Sequence, residues 1–398
     1  MLNSRFPPRS ARLVRARSAT ALVFLAFGVV VGTWTSRIPS IKAGLGLTNS
    51  QLSVALVAFA AGSVTGMVVV GRVVDRLGSG PVMTVLVAAQ GVLLIPPALA
   101  PALWALSTAL FVFGAVQGTL NVAMNANAVE VQRAWGSPVM SSFHAVFSLG
   151  GFIGAAIGGV LAGAGVGAVA TFAIVCCGSL SVWVVAALWR LRDSRALDAG
   201  SNAAGATKAA GPPRPGTVLA LGVLAMFAMV AEGAAGDWSA VYLHTTLGTG
   251  TAFAALAFVG FSIAMMLARL VGDRIVTRTG PVRLVRGSAL FAAVVFGVCG
   301  LLVGTPVSAV IGFAGLGAGL AGLTPQIYSV AGQLTGSGTG RRLSVILGMG
   351  YTGFLLGPAL IGFASTLIGL RAALAIPAVL ILLVATAASA LRTPAVLS

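Results

Sequence analysis

The chain holds seven acidic residues among 398, and the surroundings of each decide what chemistry it can offer. Asp75, Glu130, Asp193, Asp198 and Asp273 stand beside basic residues or in polar stretches. Glu232 follows the apolar run "GTVLALGVLAMFAMVA", long enough to carry it past the midplane of a lipid bilayer. An ionised carboxylate there costs several kcal/mol, so it must take up a proton or find a cation. Reversible protonation is therefore the chemistry expected of Glu232. The alternative is a neutral, hydrogen-bonded acid that joins two helices. Asp237 lies further along the same run, beside Trp238. Arg37, just past Trp34, is its candidate partner across an outer gate, with two separate interfacial charges as the other reading.

Uncharged polar residues extend the set. Asn121, Asn125 and Gln132 share one helical stripe, and Asn127 and Glu130 another. Asn121 and Asn125 stack one above the other, suited to a hydroxylated or amide ligand, although asparagines also bind membrane helices together. Ser141, His144 and Ser148 line one face of a later segment, where His144 could pass protons or simply bond to a serine. In "GLTPQIYSVAGQ", Pro325 should bend a helix beside a cavity, which makes Gln326 and Tyr328 candidate ligand contacts, with helix packing as the alternative. Trp34 and Trp238 complete the candidate substrate contacts. Cys176, Cys177 and Cys299 have no ligand spacing around them, so they read as packing. Neither a metal nor a cofactor is expected. No Walker A loop and no catalytic constellation occur, so the chain does not read as an enzyme.

Positioning these residues takes a membrane. The chain is 58% hydrophobic and 8% charged, with mean hydropathy +1.03. A soluble domain cannot hide that much apolar surface. Apolar runs of about 20 residues give twelve helical spans: 18–36, 50–70, 82–100, 102–126, 138–162, 168–189, 217–240, 250–270, 283–304, 306–330, 343–367 and 371–391. With the N-terminus inside, only Arg37, Lys42 and Arg371 of the lysines and arginines fall outside, which also accounts for the net charge of +17 without nucleic acid. The arginine-rich start could pass for a secretory signal, but no small-residue cleavage site follows and it reads as an uncleaved first helix. The Ala-, Gly-, Pro- and Arg-rich stretch 190–216 reads as a cytoplasmic linker between a bundle of six spans, 1–189, and a second, 217–398.

The halves repeat at an offset of about 200 residues. "GTWTSRIPS" matches "AGDWSAVYL", placing Trp34 against Trp238. "SLGGFIGAAIGG" matches "GYTGFLLGPALIG", placing Gly150 and Gly154 against Gly353 and Gly357. The charged turn "GRVVDRLGSGP" has its relative in "GDRIVTRTGP". Two parallel six-helix repeats imply a bundle around an axis along the membrane normal, with a central cavity. Small-residue stripes at Gly150, Gly154, Gly158 and Gly159, and at Gly315, Gly319 and Gly322, should let helices approach closely.

Together "TSRIPSIKAGLGLT", "NVAMNANAVEVQR", "SSFHAVFSLGG", "AEGAAGDW" and "GDRIVTRTGPVRLVR" resemble the major facilitator superfamily, in its MosC-like bacterial branch, over nearly the whole chain. The superfamily's signature between spans two and three is matched by Gly71, Asp75, Arg76 and Gly78, while Ser79-Gly80-Pro81 replace the basic pair that usually follows. The resemblance implies that the aspartate sits near the start of a helix and bonds to the other half as a cytoplasmic latch. Arg72 and Arg76 would hold carbonyls, lipid phosphates or Glu130. Glu130 and Arg133 form a local pair or join that latch, and Asp273 and Arg274 belong to its second copy. Topology anchoring accounts for the arginines alone, not for the acids. Proton-driven exporters in the superfamily often carry glycine, proline, two residues and two glycines in span five. Gly154 to Gly159 matches apart from Ala155.

The expected protein is an all-α integral membrane protein with the major facilitator fold, moving a small organic solute by alternating access with proton coupling. Export is slightly favoured. Uptake of a polar, sugar-like solute is the alternative within transport, and a non-transporting receptor or scaffold is the rival from another class. Expected partners are a small-molecule substrate, protons and the bilayer, for a monomer in the bacterial cytoplasmic membrane with both termini cytoplasmic.

Overall fold

The computed structural model describes residues 10–189, 215–334 and 338–392. Twelve helices are long and apolar enough to cross a membrane: α1 (Ala11–Gly44), α2 (Gln51–Leu77), α3 (Ser79–Leu99), α4 (Leu103–Trp135), α5 (Met140–Gly163), α6 (Ala168–Trp189), α7 (Gly216–Thr246), α8 (Phe253–Thr279), α9 (Pro281–Leu302), α10 (Pro306–Gln333), α11 (Thr339–Ile368) and α12 (Leu370–Leu391). Each expected span lies on one of them. Several helices run past the apolar stretch, because a helix need not stop where hydropathy falls. α1 takes in Arg12, Arg15 and Arg17, and α4 continues to Trp135. The residues expected to form the linker lie, apart from its final turn, outside the described ones. No strand occurs among the described residues.

Sequence sets the helix ends. The Ser10 hydroxyl accepts from the Leu13 N–H at 3.3 Å. Thr48 and Gln51 satisfy each other's backbone N–H ahead of α2, and Thr305 and Ser308 do the same ahead of α10. Both charged turns end on a glycine with positive φ, Gly78 at 86° and Gly280 at 77°, a conformation side chains resist. The bend expected from Pro325 is present. α10 breaks into a turn at Ala321 and Gly322, where the imino nitrogen four residues on from Ala321 has no hydrogen to donate.

By their internal contacts the residues form two compact units. One comprises Met1–Val139, Val146–Ala209 and Ser337–Ser344. The other comprises Met140–Ala145, Ala210–Gly336 and Val345–Ser398. The first turn of α11 thus belongs with the first unit and the first turn of α5 with the second.

Within the first unit, a Cβ on Gly28, Gly32 or Gly154 would run into backbone of the helix opposite, so α1 and α5 touch backbone to backbone. The Thr33 hydroxyl, donating to the Gly154 carbonyl at 3.1 Å, seals that contact. In the second unit α7 and α11 repeat it. Gly353 and Gly357 lie against Met226 and Val230 as Gly150 and Gly154 lie against Leu25 and Val29. The duplication seen in the letters is a duplication of contacts. One member of the expected stripe departs from it: Gly159 meets nothing within 4 Å. Large apolar side chains such as Phe152 and Leu302 are 71% and 74% exposed, which suits a lipid surround and not water.

Candidate functional site

The two aspartates of the charged turns do equivalent work in their own units. Asp75 lies near the end of α2, where its carboxylate accepts from the Gly340 N–H at 2.7 Å and the Arg341 N–H at 3.2 Å. It therefore caps the first turn of α11, although it stands near the end, not the start, of its own helix. Asp273 on α8 accepts from the Ser141 and Ser142 N–H groups, both at 2.9 Å, and caps α5. Each carboxylate meets first-turn N–H groups that have no intrahelical partner and the positive end of a helix dipole. The signature glycines permit the approach. A Cβ on Gly71 would lie 2.9 Å from the Arg341 Cα, and one on Gly272 would lie 2.8 Å from the Ser141 hydroxyl. Measured from the turn glycines Gly78 and Gly280, Asp273 sits one helical turn deeper than Asp75. Arg72, Arg76 and Arg274 point outward and are exposed, as is Arg133, while Glu130 is half-buried.

Above Asp273, one more turn into α8, is Arg269, only 4% exposed. Glu232 from α7 and Tyr328 from α10 lie close enough to feel its charge, and it acts in turn on His144 from α5. The His144 and Tyr328 rings are 6.0 Å apart, centroid to centroid. Gln326 extends the group by donating to the Ser141 hydroxyl at 3.4 Å. The second unit therefore brings together Glu232, His144, Gln326 and Tyr328 from three helices, with Arg269 from a fourth acting on Glu232, Tyr328 and His144. By sequence Arg269 reads as one more arginine of the second charged turn, which topology anchoring would account for. Its placement inside the run "AALAFVGFSIAMMLARLVGD" was the available signal, since an anchor belongs past the end of the apolar stretch.

The first unit carries a polar stripe on α4. Asn125 donates its amide to the Asn121 side-chain oxygen at 2.8 Å and to the Asn121 carbonyl at 2.9 Å. Its own side-chain oxygen is buried with no hydrogen-bond partner among the described residues. Gln117, one turn earlier on the same face, has both side-chain polar atoms in that state. The stripe thus starts a turn before the expected one, and its regular four-residue spacing was legible. Asn127 faces elsewhere, accepting from Thr20 at 2.7 Å and donating to Ser79 at 3.1 Å. Gln132 accepts from the Val139 N–H at 3.0 Å, closing the turn into α5.

The remaining expected residues lie apart from both groups. Trp34 is 6% exposed and packs between Phe113 and Phe172, with ring centroids 6.2 and 6.3 Å away. Trp238 donates its indole N–H to the Pro358 carbonyl at 3.0 Å. Arg37 is 2% exposed and gives its guanidinium to the carbonyls of Val166 and Gly158 in its own unit. Asp237 is exposed.

A duplicated, twelve-span helical protein with a charged cluster buried within its spans belongs to the class of polytopic membrane carriers. Comparison with known proteins makes the class specific. Residues 18–338 match the model of the Major Facilitator Superfamily. The chain belongs to that superfamily and is a secondary transporter. It is 34% identical over 380 residues to an uncharacterized MFS-type transporter of Yersinia pestis, covering 94% of each chain. To the membrane protein MosC of Rhizobium meliloti it is 29% identical, over 90% of this chain and 85% of that one, in keeping with the branch its motifs resemble. The crystal structure of the superfamily transporter FucP shares the fold, with a TM-score of 0.77 at 18% identity, over 96% of this chain and all of that one.

Proposed function

We propose that the protein is a proton-coupled carrier of a small organic solute, working by alternating access as a monomer in the bacterial cytoplasmic membrane with both termini on the cytoplasmic side. The observation that carries this reading is the group formed by Glu232, Arg269, Tyr328 and His144 inside the membrane-spanning helices. An acid and a buried arginine within lipid-spanning segments are costly to keep, rare, and by default mark a functional site. Glu232 is the residue that gains and loses the proton, with His144, which faces Tyr328 and feels the same Arg269, as a relay. Asn121 and Asn125 in the first unit, and Gln326 and Tyr328 in the second, offer donors and acceptors to the solute. Asp75 and Asp273, each capping a helix start, serve as the two latches.

Export draws support from the span-five pattern Gly154 to Gly159. Uptake of a polar solute draws it from Asn121, Asn125 and Gln326, whose amides suit hydroxyl groups. Reconstituted vesicles of both orientations, with an imposed pH gradient and a pH dye inside, decide direction and coupling together when candidate solutes are added. The wild-type protein should move protons only when a solute is present. Glu232→Gln, folded, should bind solute and leave the proton signal flat. Full coupling in that variant would remove Glu232 from the mechanism.

A further inference from the structure

Arg269 poses a charge problem that the proton-coupled reading makes sharper. The groups that face it are Glu232 from α7, Tyr328 from α10 and His144 from α5, with Asp273 one turn along its own helix. Each Asp273 oxygen accepts from one N–H group at the start of α5, of Ser141 and of Ser142. Tyr328 and His144, when neutral, bring no negative charge. Glu232 is the carboxylate from a neighbouring helix whose charge reaches this guanidinium and helps to balance it; the guanidinium is only 4% exposed, and arginine keeps its proton. When Glu232 takes a proton during transport, that balance is lost, and an unbalanced buried charge is costly.

We propose that Arg269 binds the anionic group of the solute, that the solute is a small organic anion, and that the anion on Arg269 and the proton on Glu232 arrive and leave together. This rests on Glu232 as the proton-carrying residue and adds the chemical class of the cargo. In the unloaded site Glu232 carries minus one and Arg269 plus one. In the loaded site a proton from water neutralises Glu232, and the solute's carboxylate or comparable group takes its place beside Arg269. The site is neutral in both states, and a monoanion crosses with one proton without net charge. The guanidinium fork suits a carboxylate bidentately, and the Tyr328 hydroxyl can donate to the same group. A neutral sugar would leave Arg269 unbalanced at the moment Glu232 is protonated.

The duplication sharpens the point. The matching helix of the first half, α2, has no charged residue before Arg72, and α1 has no acid at all. Both halves keep a capping aspartate, but only α7 and α8 carry a half-buried acid and a buried arginine within their spans. The pair is not a requirement of the repeated fold.

The test uses the full-length protein, purified in detergent and reconstituted. The probes are lactate, gluconate, glucuronate, a phosphonate and a sulfonate, with glucose and inositol as neutral counterparts. At least one anion should bind, more tightly at pH 5.5 than at 7.5, by up to about tenfold per pH unit for one linked proton. Its transport should carry protons but no current. Arg269→Gln should weaken that binding by about tenfold or more, Arg269→Lys should restore part of it, and Glu232→Gln should bind the anion with affinity independent of pH. The double variant Glu232→Gln with Arg269→Gln, which removes both charges, guards against misfolding and should bind no anion. Anion binding unchanged in Arg269→Gln or in the double variant overturns the proposal. So does failure of every anion to bind, or proton-linked binding of a neutral probe alone. Loss of binding in Arg269→Gln while Glu232→Gln keeps its pH dependence supports Arg269 and instead defeats Glu232 as the proton site.

Discussion

Asp75 and Asp273 show how little of a residue's role is fixed by its own helix. Each sits near the end of one helix and serves the start of another, so its value lies in the N–H groups it satisfies. Asp75→Ala should lower stability by about 1 kcal/mol, within the usual range for a lost cap, read as a lower unfolding midpoint in detergent. Asp75→Asn should fall between, because an amide keeps one of the two accepting oxygens. Asp273→Ala should cost more than Asp75→Ala, since Asp273 is half-buried where Asp75 is exposed. An equal loss at the two positions would argue against burial as the difference. Both aspartates were readable in the sequence as members of a repeated signature. That their targets are the first turns of α11 and α5 was not readable, because the partners lie 265 and 132 residues away along the chain. Arg37 shows the reverse. A charge next to a tryptophan at a span end reads as an interfacial group, yet its guanidinium is held by two carbonyls of its own unit. Arg37→Gln should lower the unfolding midpoint whether or not Asp237 is also changed, which a double-mutant comparison measures.

At the scale of elements, helices in lipid gain little from burying apolar surface against one another, so close packing of small residues has to hold them. Glycine positions are where this is tested. Gly154→Val on α5 would force its side chain into the Val29 carbonyl of α1, with an expected cost of about 1–3 kcal/mol and reduced yield of folded protein. Gly357→Val, meeting the Val230 carbonyl at 2.8 Å, should show the same loss in the second unit. Gly159→Val should be nearly silent, since nothing lies within 4 Å of it. Thermal unfolding of the three variants side by side checks the contrast. The periodic glycines of α5 announce a packing face, but which of them face α1 depends on the rotation of the helix. Composition does not record that rotation. The break in α10 was legible, because Pro325 removes a backbone donor wherever it stands.

For the whole molecule, the decisive quantity is the even number of crossings. In the proposed topology the twelve spans put both chain ends on one side, and the arginine distribution is the reason to propose the cytoplasmic one. Single cysteines introduced at Ser10 and Arg392, in a background lacking Cys176, Cys177 and Cys299, should react with an impermeant reagent only in inside-out vesicles. A cysteine at Lys42 should react only in right-side-out ones. Labelling of the two termini from opposite faces would end the twelve-span reading.

What the sequence determined by itself was the solvent, the number of spans, the duplication and the candidate acid. These depend on composition, on runs of about twenty residues and on local spacing, all of which are properties of neighbours along the chain. What only the tertiary structure decided was company. It brought Arg269 within reach of the charge of Glu232, buried Trp34 among phenylalanines, and aimed Asp75 and Asp273 at distant helix starts. Such pairings join residues far apart in sequence through the angle and depth at which helices meet, and no local pattern carries that information.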